Sequence, residues 1–157
     1  ISSMICQLNI VQTKFSRESS EMTSFFSLMP EINSIAEKSA GFLWRQHTED
    51  ESLIAARLGH NFIANLSSWQ SIDSLYEFVF CPPHQHIMMA RDRWFSHTGK
   101  APTVIWDIKP DQPRPSWSDA IDRLEHLWSE GASEWAYDFN FAKKRGDVDP
   151  QIKFNID

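Results

Sequence analysis

Between Asn61 and Phe95 the chain gathers polar groups able to do chemistry among large apolar ones: Asn65, Trp69, His84, His86, Arg91 and Trp94. A small-molecule pocket needs that mixture, apolar walls for affinity and a few polar groups for orientation. Asn65 lies in an apolar run. Its amide either donates to a substrate carbonyl or phenolate oxygen or makes a structural hydrogen bond. His84 follows Pro82-Pro83 and opens a helix, where the positive end of the helix dipole disfavours the imidazolium. A neutral imidazole there is a general base near neutral pH, or else makes a helix-start hydrogen bond. His86, two residues on, is turned about 200° around a helix and points elsewhere. The pair lacks the i, i+4 spacing of helical metal ligands, so no metal site is expected. Arg91 lies two helical turns after His84 and shares its face. It is placed to stabilise an oxyanion, or to join a salt bridge. Trp94 extends the same face. Trp69, Trp94, Trp44 and Trp106 either wall the pocket or fill the core, and Met88 is taken as a further apolar contact.

Local patterns predict the elements that position these groups. Residues 4–13, 42–47, 61–69 and 103–108 read as strands, and 135–141 as a short fifth one. The 42–47 and 61–69 strands are expected to pair as a hairpin. Phe25, Leu28, Met29, Ile32, Ile35 and Ala36 recur at helical spacing between Glu21 and Gly41, with Pro30 inside and a kink or break expected there. Ser71 or Asp73 caps a helix with Ile72, Leu75, Tyr76 and Val79 on one face. Pro82 and Pro83 interrupt it, and helix resumes over 84–95. Ser116 or Ser118 caps a last helix with Ala120, Leu124, Leu127 and Trp128 as its apolar face; His126 is expected at the surface beside Glu130. The order β-α-β-β-α-β, then α-β, predicts an α+β ferredoxin-like antiparallel sheet with helices on one face. The bare face then needs a partner, and a second copy is the simplest. One domain over 1–141 and a polar tail over 142–157 follow.

The composition excludes several classes. At 157 residues, with 41% hydrophobic and 23% charged side chains, the chain is ordinary for a globular domain. A net charge of −6 argues against nucleic-acid binding. No run approaches the roughly 20 apolar residues of a membrane span. There is no Rossmann glycine fingerprint and no P-loop. Cys6 and Cys81 form no metal motif and suit a reducing compartment, so a cytoplasmic location is expected. Seven Trp and eleven Phe exceed what a core needs, which points to a cavity or an interface.

The residues LNI near the start, GFLWR, NLSSWQSIDSLYEFVF, His84 with Arg91 and Trp94-Phe95, and RLEHLWSEG over roughly 4–141 resemble the DUF3291 family of the dimeric α/β-barrel, antibiotic-biosynthesis-monooxygenase-like superfamily. The resemblance implies a homodimer whose sheets form a barrel, with a pocket in each subunit between sheet and helices. The superfamily includes cofactor-free monooxygenases, haem-degrading enzymes and polyketide-type isomerases or cyclases. In the quinone-forming oxygenases an Asn and a Trp four residues apart hold the substrate, and Asn65 and Trp69 match that spacing. In haem-degrading members an Asn, a Trp and a helical His surround the haem, and Asn9, Trp69 and His84 fall in comparable places. Close relatives often carry a basic residue where Cys81 or Met89 stands here, which makes the pocket more apolar if those positions face inward.

These readings converge on a cofactor-independent enzyme of specialised metabolism. It cyclises or isomerises a small apolar polyketide- or terpenoid-like substrate, with His84 moving a proton and Arg91 or Asn65 holding the oxyanion. The alternatives are cofactor-free monooxygenation of an electron-rich aromatic, haem binding, and ligand binding without turnover.

Overall fold

The computed structural model describes residues 4–148. Its centre is β1 (Ile5–Thr13), which pairs antiparallel from Ile5 to Gln12 with β3 (Phe62–Trp69). On the other side of β1 lie β5 (Thr103–Asp107) and, further along, the two-residue β4 (Phe95–Ser96). Beyond β3 the sheet ends at β2 (Phe42–Arg45), which carries an irregularity between Phe42 and Trp44. The order β2-β3-β1-β4, with β5 also on β1, gives the antiparallel α+β ferredoxin-like sheet. The expected strand over 135–141 is reduced to a single bridge between Tyr137 and Ile105.

Side-chain alternation along the strands divides the core into two layers. Ile5, Gln7, Asn9 and Val11 point to one face, which is covered by α1 (Thr23–Lys38), α3 (Ile72–Val79) and α4 (Pro82–Met89). The α1 helix runs through Pro30 as one element. Ser71 caps α3 by accepting the Ser74 backbone N–H at 3.2 Å.

Cys6, Leu8 and Ile10 point the other way, and that face is not bare. It is covered by α2 (Glu51–Leu58) and α5 (Trp117–Glu130) of the same chain. Ala120, Ile121 and Leu124 of α5 are fully buried against it. A reciprocal Ser116–Asp119 capping box starts α5, and Arg57 of α2 reaches Asp122 at 2.7 Å and Glu125 at 3.1 Å. Helical coverage is therefore two-sided, and the physical reason for assigning this face to a second copy is gone. Cys6 lies in this layer and Cys81 does not; both thiols are free, and burial pushes that of Cys6 up to about 11.

The chain end is also better packed than its polarity suggests. Asp138 caps α6 (Phe139–Arg145), and Ala142 and Val148 are buried in the core beside Tyr137. Arg145 grips Asp107 at 3.0 Å and stacks on the Tyr137 ring at 4.5 Å, while the Tyr137 hydroxyl donates to Asp107 at 2.7 Å. The first part of the expected tail, residues 142–148, thus packs against the domain; residues 149–157 lie outside the described residues. His126 is half-buried, with its ring 5.1 Å from Trp135, rather than on the surface.

Gly41 makes the tight turn from α1 into β2 with φ +84°, and a Cβ there would sit 2.1 Å from the Ser74 hydroxyl oxygen. Gly41→Ala is expected to cost about 2–3 kcal/mol, from the left-handed backbone and the clash together. Urea unfolding measures it, and a loss under about 0.5 kcal/mol would show that α3 does not approach this turn.

Candidate functional site

A chamber of about 170 Å³ lies between the first sheet face and helices α1, α3 and α4. Its floor comes from strand periodicity. Asn65, Ser67 and Trp69 are alternate residues of β3 and share one face. The antiparallel register sets Asn9 opposite Asn65 and Gln7 opposite Ser67. Its roof comes from helical periodicity: Phe25, Met29 and Ile32 of α1 follow i, i+4, i+7. Leu75 and Phe78 of α3 and His84, Ile87 and Met88 of α4 complete the enclosure.

Most of the floor's polar groups are already committed. Ser67 Oγ accepts from Gln7 Nε2 at 2.9 Å and from the Trp69 indole N–H at 3.0 Å. Asn9 Oδ1 accepts from the Thr103 hydroxyl at 2.8 Å. Asn65 differs: it is solvent-exposed while lining the chamber, and its side chain makes no hydrogen bond among the described residues. Trp69 is 1% exposed and its N–H is taken, so it offers a ligand a wall and no donor.

His84 is the one titratable ring in the lining. Burial pushes its imidazole below the ordinary value of about 6.5, while a hydrogen bond to the Val79 backbone favours the protonated form and opposes the shift. Its Nδ1 is sealed in protein without a well-formed partner. Phe78 holds the ring edge-on at 5.0 Å. Gln85 Nε2 donates to the Val79 carbonyl at 2.8 Å and ties the α3–α4 corner that carries His84.

The structure brings Asn65, Trp69, His84, Asn9 and Met88 together around the chamber. It does not bring Arg91. Helix α4 ends at Met89, and Arg91 starts a separate 3-10 turn, Arg91–Arg93, so the two-turn spacing from His84 no longer implies a shared face. Arg91 lies in a neighbouring cleft. Trp94 is buried behind the roof, with its indole N–H on Ser24 at 2.9 Å and its ring 5.6 Å from Phe25. Trp106 and Trp44 pack on the opposite sheet face, under Arg123 at 5.0 Å and Arg114 at 5.1 Å, and wall no part of the chamber. His86 is exposed, Met89 is 86% exposed, and Cys81 lines no part of the chamber, so the pattern of apolar substitutions at 81 and 89 does not reach it.

Sequence reasoning missed Gln7, Ser67 and Arg45. Gln7 and Ser67 were readable from the alternation that carries Asn9 and Asn65. Arg45 was not: the β2 irregularity sets which face it takes, and there it lines the chamber while bridging to Glu37 at 2.7 Å. No group of three or more His, Cys, Asp or Glu is placed to hold a metal ion among the described residues, and no helix there is long and apolar enough to cross a membrane.

Solved structures share this fold at low identity. A conserved protein from Methanosarcina mazei Go1 is 15% identical with a TM-score of 0.51, over 69% of this chain and 95% of its own. SnoaB, a cofactor-independent oxygenase from Streptomyces nogalater, is 13% identical with a TM-score of 0.47, over 73% and 100%. A dimeric ferredoxin-like protein of unknown function from Jannaschia sp. CCS1 is 13% identical with a TM-score of 0.49, over 68% and 98%. No curated protein matches the chain. The family described as a domain of unknown function, DUF3291, matches residues 4–151, nearly the full length, and the chain belongs to it.

Proposed function

We propose that the protein is a cofactor-independent enzyme that moves a proton on a small apolar molecule bearing a carbonyl or phenol oxygen. The observation that carries this reading is a mostly apolar chamber holding one half-buried imidazole and side-chain amides without a hydrogen bond among the described residues, that of Asn65 among them. Desolvation keeps His84 neutral at neutral pH, the state a base requires. With Nδ1 protonated and enclosed by protein, the Nε2 lone pair takes the proton from substrate. The Asn65 NH₂ then donates to the developing oxyanion. Isomerisation and cyclisation of a polyketide- or terpenoid-like unit both begin this way. The chamber is close in size to cavities that bind a single aromatic ring. A tetrapyrrole exceeds the chamber by itself and would have to extend beyond it.

A second reading uses the same first step. A deprotonated electron-rich aromatic can react with dioxygen directly, and Asn65 and Trp69 share one face of the floor, as in the oxygenases the sequence resembles. The resemblance to the dimeric α/β-barrel superfamily also supports a homodimer; light scattering giving a monomer of 18.2 kDa would overturn that part.

The test uses aryl ketones of acetophenone size in D₂O. The protein is expected to bind them and to exchange their α protons faster than buffer, followed by NMR. Oxygen uptake with electron-rich phenols marks the second reading. Binding with neither exchange nor uptake identifies a ligand-binding module, and absence of binding removes the site.

A further inference from the structure

Beside the chamber lies a larger cleft of about 510 Å³. The two are continuous in their walls: Val11, Ile87, Met88 and Phe95 border both. Their chemistry differs. The cleft adds Arg91, Asp92, His97, Lys100 and Asp138, none of which lines the chamber.

Most of these charges are occupied. Asp92 faces His97 Nε2 at 3.0 Å. Asp138 accepts the Phe141 backbone N–H at 2.9 Å. The Lys100 ammonium sits 4.7 Å over the Trp128 ring. Arg91 is the exception: it is half-buried, and its guanidinium makes no hydrogen bond or ion pair among the described residues. A guanidinium stays charged and presents a fork of five N–H donors suited to an oxyacid.

We propose that chamber and cleft form one site for a two-part ligand. An aromatic or similarly apolar head occupies the chamber, and an oxyacid tail, carboxylate or phosphate, reaches past Met88 to Arg91. This rests on reading the chamber as the substrate site. It gives Arg91 the recognition of a remote anion in place of the oxyanion role its spacing suggested, and it accounts for an unpaired cation beside an apolar cavity.

Phenylalkanoates from phenylacetate to 7-phenylheptanoate, their methyl esters, and the matching phenylalkyl phosphates test this by calorimetry on the whole protein. At the best chain length the acid is expected to bind about tenfold or more tightly than its ester. Arg91→Gln should remove that preference while leaving ester affinity unchanged. Met29→Trp, which fills the chamber, should weaken acid and ester alike. The stronger of carboxylate and phosphate names the tail. Equal affinity of acid and ester, a preference that survives Arg91→Gln, or acid binding indifferent to Met29→Trp would each overturn the proposal. Failure of the catalytic reading is separable: ketone exchange independent of His84 removes that reading and leaves an Arg91-dependent acid preference intact.

Discussion

His84→Ala is expected to lower α-proton exchange on bound aryl ketones by about 10²–10⁴-fold, the usual contribution of a positioned general base. Added imidazole should restore part of the rate, because the substitution opens space where the ring stood. A merely structural histidine would show no such rescue. His86→Ala should change the rate little, since His86 is exposed on another face of α4. The pH profile carries a second signature. Burial lowers the His84 pKa, so the basic form persists below the ordinary value of about 6.5 and the rate should hold there before it falls. Stability follows the same proton. Below about 6.5 the unfolded chain gains a proton that folded His84 refuses until its own lower pKa is passed. Stability therefore falls with pH across that window, and His84→Phe should lose less on acidification than wild type. Equal exchange rates in wild type and His84→Ala would remove the acid–base mechanism.

Leu124→Ala is expected to cost about 2–5 kcal/mol, the range for a buried leucine that leaves a cavity. Leu124 is fully buried between α5 and the sheet face bearing Leu8 and Trp106. Urea denaturation with an unchanged slope would report the loss as stability alone. The neighbouring exposed change Ser129→Ala should stay within about 0.5 kcal/mol. A cost for Leu124→Ala below about 1 kcal/mol would mean that α5 does not seal this face in solution, and would reopen the face to a second copy.

These two residues also mark how far the sequence reaches. The alternation of β1 and β3 was legible, and with it the shared face of Asn65 and Trp69. Ser71 and Ser116 announced two helix starts, because a hydroxyl at that position satisfies a backbone N–H that is otherwise unpaired. The apolar stripe of Leu124 and Leu127 identified an amphipathic helix. All of this is local, decided within a turn or a pleat.

What the sequence left open depended on contacts between distant segments. The stripe on α5 could not say which sheet face it covers, so the second face looked bare until α2 and α5 closed it. Trp44 and Trp106 sat on recognised strands, but which side of the sheet formed the chamber was not readable from either strand. Arg91 shows the limit most clearly. Its two-turn spacing from His84 holds only while one helix runs through both, and the helix stops at Met89. Beyond that point Arg91 enters a different cavity. Periodicity within an element was thus fixed by the amino-acid sequence itself. The side of the sheet, the end of α4, and the placing of His84 and Arg91 in two neighbouring cavities were decided by tertiary packing, where burial of apolar area outweighs local pattern.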